Sequence, residues 1–276
     1  MLDITRLALQ RRPEKLNRAV VLSGLLRDTL PTLSIPKTAR SIVHPQKKRF
    51  CSYVLIKNCQ IKGLLHAQWR SGAWSWEISQ LFLGVNNDTA LLNKVCHRVA
   101  QYGGQRIFIR LRANDPLASS WLLSGFTLVA RETLYVGPYS GMIGDNSTII
   151  RNFKDTDSYN VFQLYNRVTP AHVRLTTGMT FEQWKSSKEA CSGFIQELVC
   201  HNQDKLIGWI RINSVSNTSL INIMVHPDNK ENTEEIIAAA MKQTPGSRYV
   251  HFLATEYDQH IHDILAKKRF EPICDY

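Results

Sequence analysis

The sequence predicts a chain of two α/β (α+β) domains of the same kind, and three observations support this prediction. Strand-like segments rich in β-branched and aromatic residues alternate with amphipathic helical segments along all 276 residues. The order of elements occurs twice, so that Gly63 matches Gly208 and Leu83 matches Val225. A polar, Gly- and Ser-containing stretch separates the halves. We therefore expect domains at 1–138 and 147–276, joined by a linker at 139–146.

The elements of the first half follow from the spacing of apolar residues and from the signals that flank them. A long polar stretch at 31–49 contains several prolines and is predicted to be a loop. The predicted elements are a strand at 2–9, a helix at 13–30, strands at 50–57, 61–69 and 74–83, a helix at 88–102, a strand at 106–111, a helix at 114–125 and a strand at 126–136.

The second half repeats this order with similar signals. Pro245 and Gly246 end one helical pattern, and Pro170 follows another. The predicted elements are a strand at 147–153, a helix at 155–168, strands at 194–201, 205–212 and 219–225, a helix at 233–243, a strand at 248–254, a helix at 256–269 and a strand at 270–276.

The stretch NDPLASSWLLSGF at 114–126 has clear signals at both helix ends. Asp115 is a good residue to cap the first turn, and Pro116 fits the start of a helix. Gly125 suits the left-handed residue past the end, and Phe126 can pack back on the last turn. The stretch is predicted to be a short amphipathic helix with Trp121 on its apolar face.

The net charge of +11 is concentrated in the first half, with +13 over residues 1–140 and −2 over residues 141–276. Such asymmetry favours an anionic partner, whether nucleic acid, a phosphorylated cofactor or a membrane surface, or else is a solvated basic surface. No apolar run reaches 18 residues, so we expect no membrane span. Six cysteines without a CxxC pair indicate free thiols in a reducing, cytoplasmic setting.

Three stretches resemble the GNAT superfamily of N-acetyltransferases, here as a tandem. WEISQLFL at 76–83 resembles the fourth strand of that family, and RLRANDPLASSWLLSGF at 110–126 resembles its fifth strand and following helix. The segment at 150–170 resembles its first strand and helix. The resemblance implies two tandem acyl-CoA N-acyltransferase-like domains. Each would have a mixed, mostly antiparallel sheet with helices on both faces.

The resemblance also implies a site for acetyl-CoA, whose pantetheine lies in a gap where the fourth and fifth strands separate. A glycine-containing loop then leads into a helix and holds the pyrophosphate. Neither half has the expected glycines: GVNN occupies 84–87, and acidic residues Glu234 and Glu235 open the second helix. The residues in matching positions are Leu81, Leu83, Asn86, Asn87, Asn114, Val225, Lys230 and Thr233.

Acetyl transfer to an amine requires a group that takes the amine proton. Glu77, on the strand that resembles the fourth of the family, is the candidate catalytic base, with an ion-paired strand glutamate as the alternative interpretation. Glu197 is a weaker candidate in the second half. The tyrosine that the family often uses as an acid is replaced by Trp121 and Leu265. The sequence contains no recognisable metal-ligand motif.

Three functional hypotheses remain open at the level of sequence. The first is an acetyl-CoA-dependent N-acyltransferase that acts on an unidentified amine. The second is a non-catalytic protein of the same fold that binds a small ligand or a protein partner. The third is a nucleic-acid-binding protein that uses the basic first half, for which binding should depend steeply on salt.

Overall fold

The chain forms two compact units in a computed structural model that describes residues 18–25, 49–57, 60–83, 89–138, 148–191, 193–244, 246–247 and 249–276. Unit 1 comprises Met1–Leu128 and Glu182–Ala190, and unit 2 comprises Val129–Phe181 and Cys191–Tyr276. These bounds differ from the predicted domain bounds, since the predicted closing strand of the first domain falls in unit 2. The predicted strand at 2–9 and the linker at 139–146 lie outside the described residues.

Unit 1 contains a four-stranded sheet in the order β1-β2-β3-β4. The first three strands form an antiparallel meander, and β4 is parallel to β3. The elements are β1 (Phe50–Lys57), β2 (Gln60–Trp69), β3 (Ser75–Leu83), α1 (Thr89–Gln101), β4 (Arg106–Phe108) and α2 (Leu117–Leu123). The strands β1 to β3 and the helices α1 and α2 match the predicted order.

The helix predicted over 13–30 is wrong for the part that the structure describes. Val21 is extended, with φ −100° and ψ 156°, and only Leu22–Gly24 forms a turn of 3₁₀ helix. The physical reason is competition: the amides of Arg18 and Val20 bond to Leu81 and Arg110 instead of to a helix of their own. A tertiary hydrogen-bond pattern has therefore overridden an amphipathic sequence pattern.

The short helix α2 confirms its predicted end signals. Oδ1 of Asp115 accepts a hydrogen bond from the amide of Leu117 at 2.9 Å. Gly125 takes a left-handed conformation with φ +96°. The ring centroids of Trp121 and Phe126 lie 5.2 Å apart, so Phe126 packs back onto the helix as expected. Trp121 is 5% exposed and belongs to the core of unit 1.

Unit 2 contains a seven-stranded sheet in the order β11-β5-β10-β9-β8-β7-β6. Its strands are β5 (Glu132–Pro138), β6 (Ile149–Asn152), β7 (Phe194–Asn202), β8 (Lys205–Val215), β9 (Thr218–Val225), β10 (Tyr249–Thr255) and β11 (Glu271–Asp275). Its helices are α3 (Ser158–Val168), α4 (Ala171–Thr177), α6 (Thr233–Lys242) and α7 (Gln259–Lys267), whereas α5 (Phe181–Ser187) belongs to unit 1 in all but its first residue. The sequence did not predict α4 and α5.

The sheets of the two units repeat the same local geometry. Gly63 lies opposite Leu83 in the first, and Gly208 lies opposite Val225 in the second. The register also shifts at the same place, after Leu55 in β1 and after Cys200 in β7. The repeat predicted from the sequence is thus present in the strand register itself.

Each unit has its own apolar core. In unit 1 the core lies where the sheet packs against α1 and α2, and it includes Trp76, Leu81 and Val95. In unit 2 it includes Ile210, Ile236 and Phe252. Among the helices of the described residues, none combines the length and the apolar character required for a membrane crossing.

Candidate active site

In each unit two parallel strands pair at their amino ends and then separate. The β3–β4 ladder runs from Ser75–Arg106 to Glu77–Phe108, although β3 continues to Leu83. The β9–β10 ladder ends at the pair Ile221–Phe252, although both strands continue beyond it. The carboxyl ends of parallel strands are where α/β sheets commonly bind ligands. We call these the strand gaps of unit 1 and unit 2.

The strand gap of unit 1 is bridged by the chain itself. The amide of Arg18 donates to the carbonyl of Leu81 at 2.9 Å, and the amide of Val20 donates to the carbonyl of Arg110 at 2.9 Å. Nε of Arg18 also donates to the carbonyl of Leu83 at 3.2 Å. The main-chain carbonyls of Leu81 and Leu83, both predicted to contact a cofactor, therefore bind residues of this chain.

Of the other predicted cofactor residues of unit 1, the structure describes Asn114 alone. Asn114 is exposed in the turn before α2. The carboxylate of its neighbour Asp115 binds the guanidinium of Arg18, the residue whose amide bonds to Leu81. Asn86 and Asn87 lie outside the described residues, so their predicted role stays a prediction.

Glu77, the predicted base, lies on β3 and is only 3% exposed. Its Oε1 accepts a hydrogen bond from Nε2 of Gln68 at 2.7 Å, and its Oε2 lies 3.6 Å from Nε of Arg70. The carboxylate therefore has internal polar partners on both oxygens. Its catalytic role stays a prediction.

A second, partly buried carboxylate, that of Glu189, shares the arginines around Glu77. Arg110 forms a bidentate pair with Glu189 at 2.9 and 2.6 Å, and Arg70 lies 3.7 Å from the same side chain. Burial raises the pKa of Glu77, and the charge of Glu189 raises it further, while Arg70 lowers it. Residues 182–190 thus close a charged cluster within unit 1.

In unit 2, one side of the strand gap is the end of β9 and the turn that leads into α6. Val225 is 1% exposed, and a 3₁₀ turn follows at Pro227–Asn232. Lys230 is exposed on this turn. Both donors of Thr233, its amide and its hydroxyl, bond to the carbonyl of Lys230, the hydroxyl at 2.7 Å.

The acidic residues that open α6 have internal partners. Glu234 pairs with Lys267 at 3.5 Å and with Lys268. Glu235 accepts hydrogen bonds from the amide and hydroxyl of Thr148, the first at 2.8 Å. Each negative charge at this helix terminus is thus offset by neighbouring groups. Glu197, the weaker candidate base, accepts from Nε1 of Trp209 at 3.1 Å.

The other side of this gap is a polar cluster at the end of β10. The hydroxyl of Thr255 donates to Oδ2 of Asp258, and Tyr257 is hydrogen-bonded to the side chains of Thr255 and Thr169. Burial raises the pKa of Asp258, which is 6% exposed, to about 6. Burial, with the neighbouring Asp258, also raises the pKa of Tyr257.

A histidine fixes the end of β10 in this cluster. Nε2 of His262 lies 2.9 Å from the carbonyl of Thr255, and its Nδ1 lies 2.8 Å from the hydroxyl of Tyr135. Since a carbonyl only accepts, Nε2 carries the proton and Nδ1 accepts from Tyr135; this tautomer is assigned from the hydrogen-bond pattern. The sequence did not predict this role, because the partners of His262 are distant in the chain or in the main chain.

His260 lies on the first turn of α7 and has an unpaired nitrogen. Its Nε2 is buried and has no hydrogen-bond partner among the described residues. Burial and the positive charge of Lys230 lower the pKa of His260, which favours a neutral ring. Tyr257, Asp258 and His260 lie directly after β10, in the position that matches the stretch at Asn114 in the first half. This position is the sequence signal that could have identified them.

Two open clefts lie elsewhere on the units. One of about 400 Å³ in unit 2 is lined by residues that include Arg151, Glu235 and Lys242. One of about 390 Å³ in unit 1 is lined by residues that include Arg49 and Trp69, with the Arg49 guanidinium 5.7 Å from the Trp69 ring centre. Neither is lined by a predicted cofactor residue. Across the described residues, no group of three or more His, Cys, Asp or Glu could hold a metal ion.

Comparison with known proteins shows similarity at the level of structure. No protein-family profile and no curated protein matches the sequence. A GCN5-related N-acetyltransferase from Sphaerobacter thermophilus is similar in structure with a TM-score of 0.51 and 10% identity, over 86% of this chain and 83% of that one. A tandem GNAT protein from the clavulanic acid biosynthesis pathway gives a TM-score of 0.48 and 12% identity, over 82% and 80% of the two chains.

The similarity to the Sphaerobacter enzyme shows the fold. The chain has the mixed α/β fold of GNAT N-acetyltransferases, and its own internal repeat makes it a tandem of two such folds. The structure thus confirms the fold class and the resemblance predicted from the sequence.

Proposed function

We propose that the chain is an acyl-CoA-dependent N-acyltransferase that uses acetyl-CoA, acts on an amine, and binds the donor in the strand gap of unit 2. One observation carries this proposal. The ladder between β9 and β10 ends at the pair Ile221–Phe252. Beyond that pair, no main-chain segment among the described residues forms hydrogen bonds to both strands. The matching gap of unit 1 is bridged by Arg18 and Val20.

The residues around this gap fit a long, phosphorylated, amide-containing ligand in part. Lys230 offers an exposed cation, and His260 offers an unpaired ring nitrogen. The end of β9 offers main-chain groups for the amides of such a ligand. Thr233 offers no spare donor, since both its donors bond to Lys230. We therefore propose that Lys230, rather than Thr233, binds the phosphates.

Acetyl-CoA supplies an activated acetyl group as a thioester, and the protein must position the amine and remove its proton. We propose that Asp258 accepts this proton. Its pKa of about 6 leaves it ionised at neutral pH yet more basic than an ordinary aspartate. Tyr257, whose pKa is raised, stays protonated and would supply a proton to the CoA thiolate that leaves when the amine takes the acetyl group. Glu77 belongs to unit 1, where Gln68 and Arg70 already bind its carboxylate.

Isothermal titration with acetyl-CoA and with CoA tests this proposal. We expect one micromolar site, weakened about tenfold or more by Lys230→Glu, because that change replaces an attractive charge with a repulsive one. Lys94→Glu, on the exposed face of α1, is the matched control and should leave the affinity unchanged. Equal affinity in the wild type and Lys230→Glu would overturn the site assignment. Titration of Asn87→Asp is the corresponding test of the cofactor site that the sequence predicts in unit 1. Unchanged affinity in this variant would count against that site.

The second candidate is a non-catalytic protein that binds a ligand or partner in the same gap. The occupied donors of Thr233 and the acidic start of α6 favour it. Acetyl-CoA binding without transfer to any member of an amine panel would support this alternative. Nucleic-acid binding through the basic first half is the third hypothesis, and a steep salt dependence of that binding would mark it. We place the protein in the cytoplasm, because the described cysteines are free thiols.

A further inference from the structure

We propose that residues 18–25, which we call the inner segment, are a built-in ligand of the strand gap of unit 1 and close that gap to any external chain-like ligand. Of the two strand gaps among the described residues, that of unit 2 then stays open to a ligand and that of unit 1 does not. The part of this proposal that concerns acyl-CoA rests on the proposed function above.

The inner segment binds both separating strands through its main chain. The amide of Arg18 bonds to β3 at Leu81, and the amide of Val20 bonds to the stretch after β4 at Arg110. The segment therefore forms hydrogen bonds to both sides of the gap beyond the pair Glu77–Phe108, where the ladder between β3 and β4 ends.

The side chain of Arg18 anchors the segment at the mouth of the gap. Nη1 lies 2.9 and 3.1 Å from the two carboxylate oxygens of Asp115, at the start of α2. Nε donates to the carbonyl of Leu83, the last residue of β3. One guanidinium thus ties the end of β3 to the start of α2, which are the two edges of the gap.

Apolar burial holds the rest of the segment in place. Ala19 is 1% exposed, Leu22 is 5% exposed and Leu25 is 8% exposed. Ala19 belongs to the same core cluster as Leu81 and Leu83. A loosely attached surface strand would not bury three apolar side chains to this extent. The segment is therefore part of the packed interior of unit 1.

The hydrogen bonds of the inner segment indicate which class of ligand it excludes from the strand gap of unit 1. A ligand that bonded to β3 and to the stretch after β4 in the way that the inner segment does would need the carbonyls of Leu81 and Arg110, and both are bonded to the inner segment. The excluded class is an extended chain with amide donors, which includes the pantetheine arm of CoA. Releasing the inner segment would expose a second such gap.

Residue-resolved amide hydrogen exchange tests the occupant independently of any ligand. The amides of Arg18 and Val20 should be protected in the wild type. Arg18→Met keeps the aliphatic stem but loses the guanidinium bonds, so both amides should exchange about tenfold faster or more. Arg112→Met, an exposed arginine of the same unit, is the matched control and should leave the exchange unchanged. Unprotected amides at Arg18 and Val20 in the wild type would overturn the proposal.

Titration with CoA tests the consequence. We expect one site per chain in the wild type and a second, weaker site in a variant that combines Arg18→Met with Val20→Pro, which removes the amide bonded to Arg110. Two sites in the wild type would overturn the inner segment as a block. If no variant binds CoA, the proposed function fails, while the exchange data still decide whether the segment occupies the gap.

Discussion

Nη1 of Arg18 donates to both carboxylate oxygens of Asp115, 97 positions further along the chain, at 2.9 and 3.1 Å. The same carboxylate caps α2 through the amide of Leu117. Asp115 therefore stabilises unit 1 in two ways, as the anchor of the inner segment and as a helix cap. The side chains are 22% and 10% exposed, so solvent screens the pair only partly.

We expect Asp115→Ala to lower the free energy of unfolding by about 2–3 kcal/mol, because it removes a cap and leaves a partly buried guanidinium without its anion. Urea unfolding followed by tryptophan fluorescence measures this. Asp115→Asn is the control: an asparagine can still cap the helix, so it should lose only the ion-pair part. Equal losses for the two variants would show that the cap contributes nothing.

Gly208 gives a second prediction about packing. A Cβ added there would lie 2.8 Å from Cδ1 of Ile236 and 3.3 Å from Cβ of Cys200. We expect Gly208→Ala to destabilise the protein by about 1–3 kcal/mol through overpacking. Ile236→Val removes the contacted methyl group, so the double variant should be more stable than the sum of the single effects predicts. A strictly additive double-mutant cycle would contradict this contact.

Asp258 predicts a pH dependence of stability. Its pKa rises from an ordinary 3.8 to about 6 in the folded state, so the folded protein holds this proton more tightly than the unfolded chain. Its contribution to stability is complete below the unfolded pKa and is lost as the pH rises through the folded pKa. Between pH 4 and pH 7 the wild type should lose on the order of 2–3 kcal/mol relative to Asp258→Asn. Denaturant unfolding at several pH values measures this, and parallel curves for the two proteins would count against it.

The cysteines predict an order of reactivity. Burial raises the pKa of Cys200 to about 12 and that of Cys51 to about 11, and these thiols are 0% and 9% exposed. Both should resist iodoacetamide in the native state, because the reactive thiolate is scarce and shielded. Cys191 and Cys274 are partly exposed and should be labelled first. Mass spectrometry of labelled peptides locates the modified residues; early labelling of Cys200 would contradict the packing of β7.

The repeat and most elements could be predicted from the sequence, because they depend on local patterns that the fold preserves. Gly63 and Gly208 occupy equivalent places because each is approached closely by a helix residue, Leu91 in one unit and Ile236 in the other. The failure over 13–30 has the opposite cause. Helical periodicity at Val20 and Leu25 could not reveal that the Arg18 and Val20 amides would find carbonyls in distant strands.

The candidate site was predicted less well, because its parts come from separate stretches of chain. The sequence pointed to the end of β9 through Val225 and Lys230, but it missed the cluster at the end of β10. Asp258 and His260 carry no motif, and they become notable only through burial next to Thr255 and Lys230. The segment at 182–190, which supplies Glu189 to the cluster around Glu77, was equally invisible to local pattern.

We propose that the strand gap of unit 2 binds CoA and that the strand gap of unit 1 does not. Amide hydrogen exchange of the wild-type protein, with and without saturating CoA, tests it most directly. We predict slower exchange in residues 222–233 and 253–260 when CoA is present, with no change in residues 18–25 and 81–83. Protection by CoA in residues 18–25 or 81–83, or no protection in unit 2, would contradict the account.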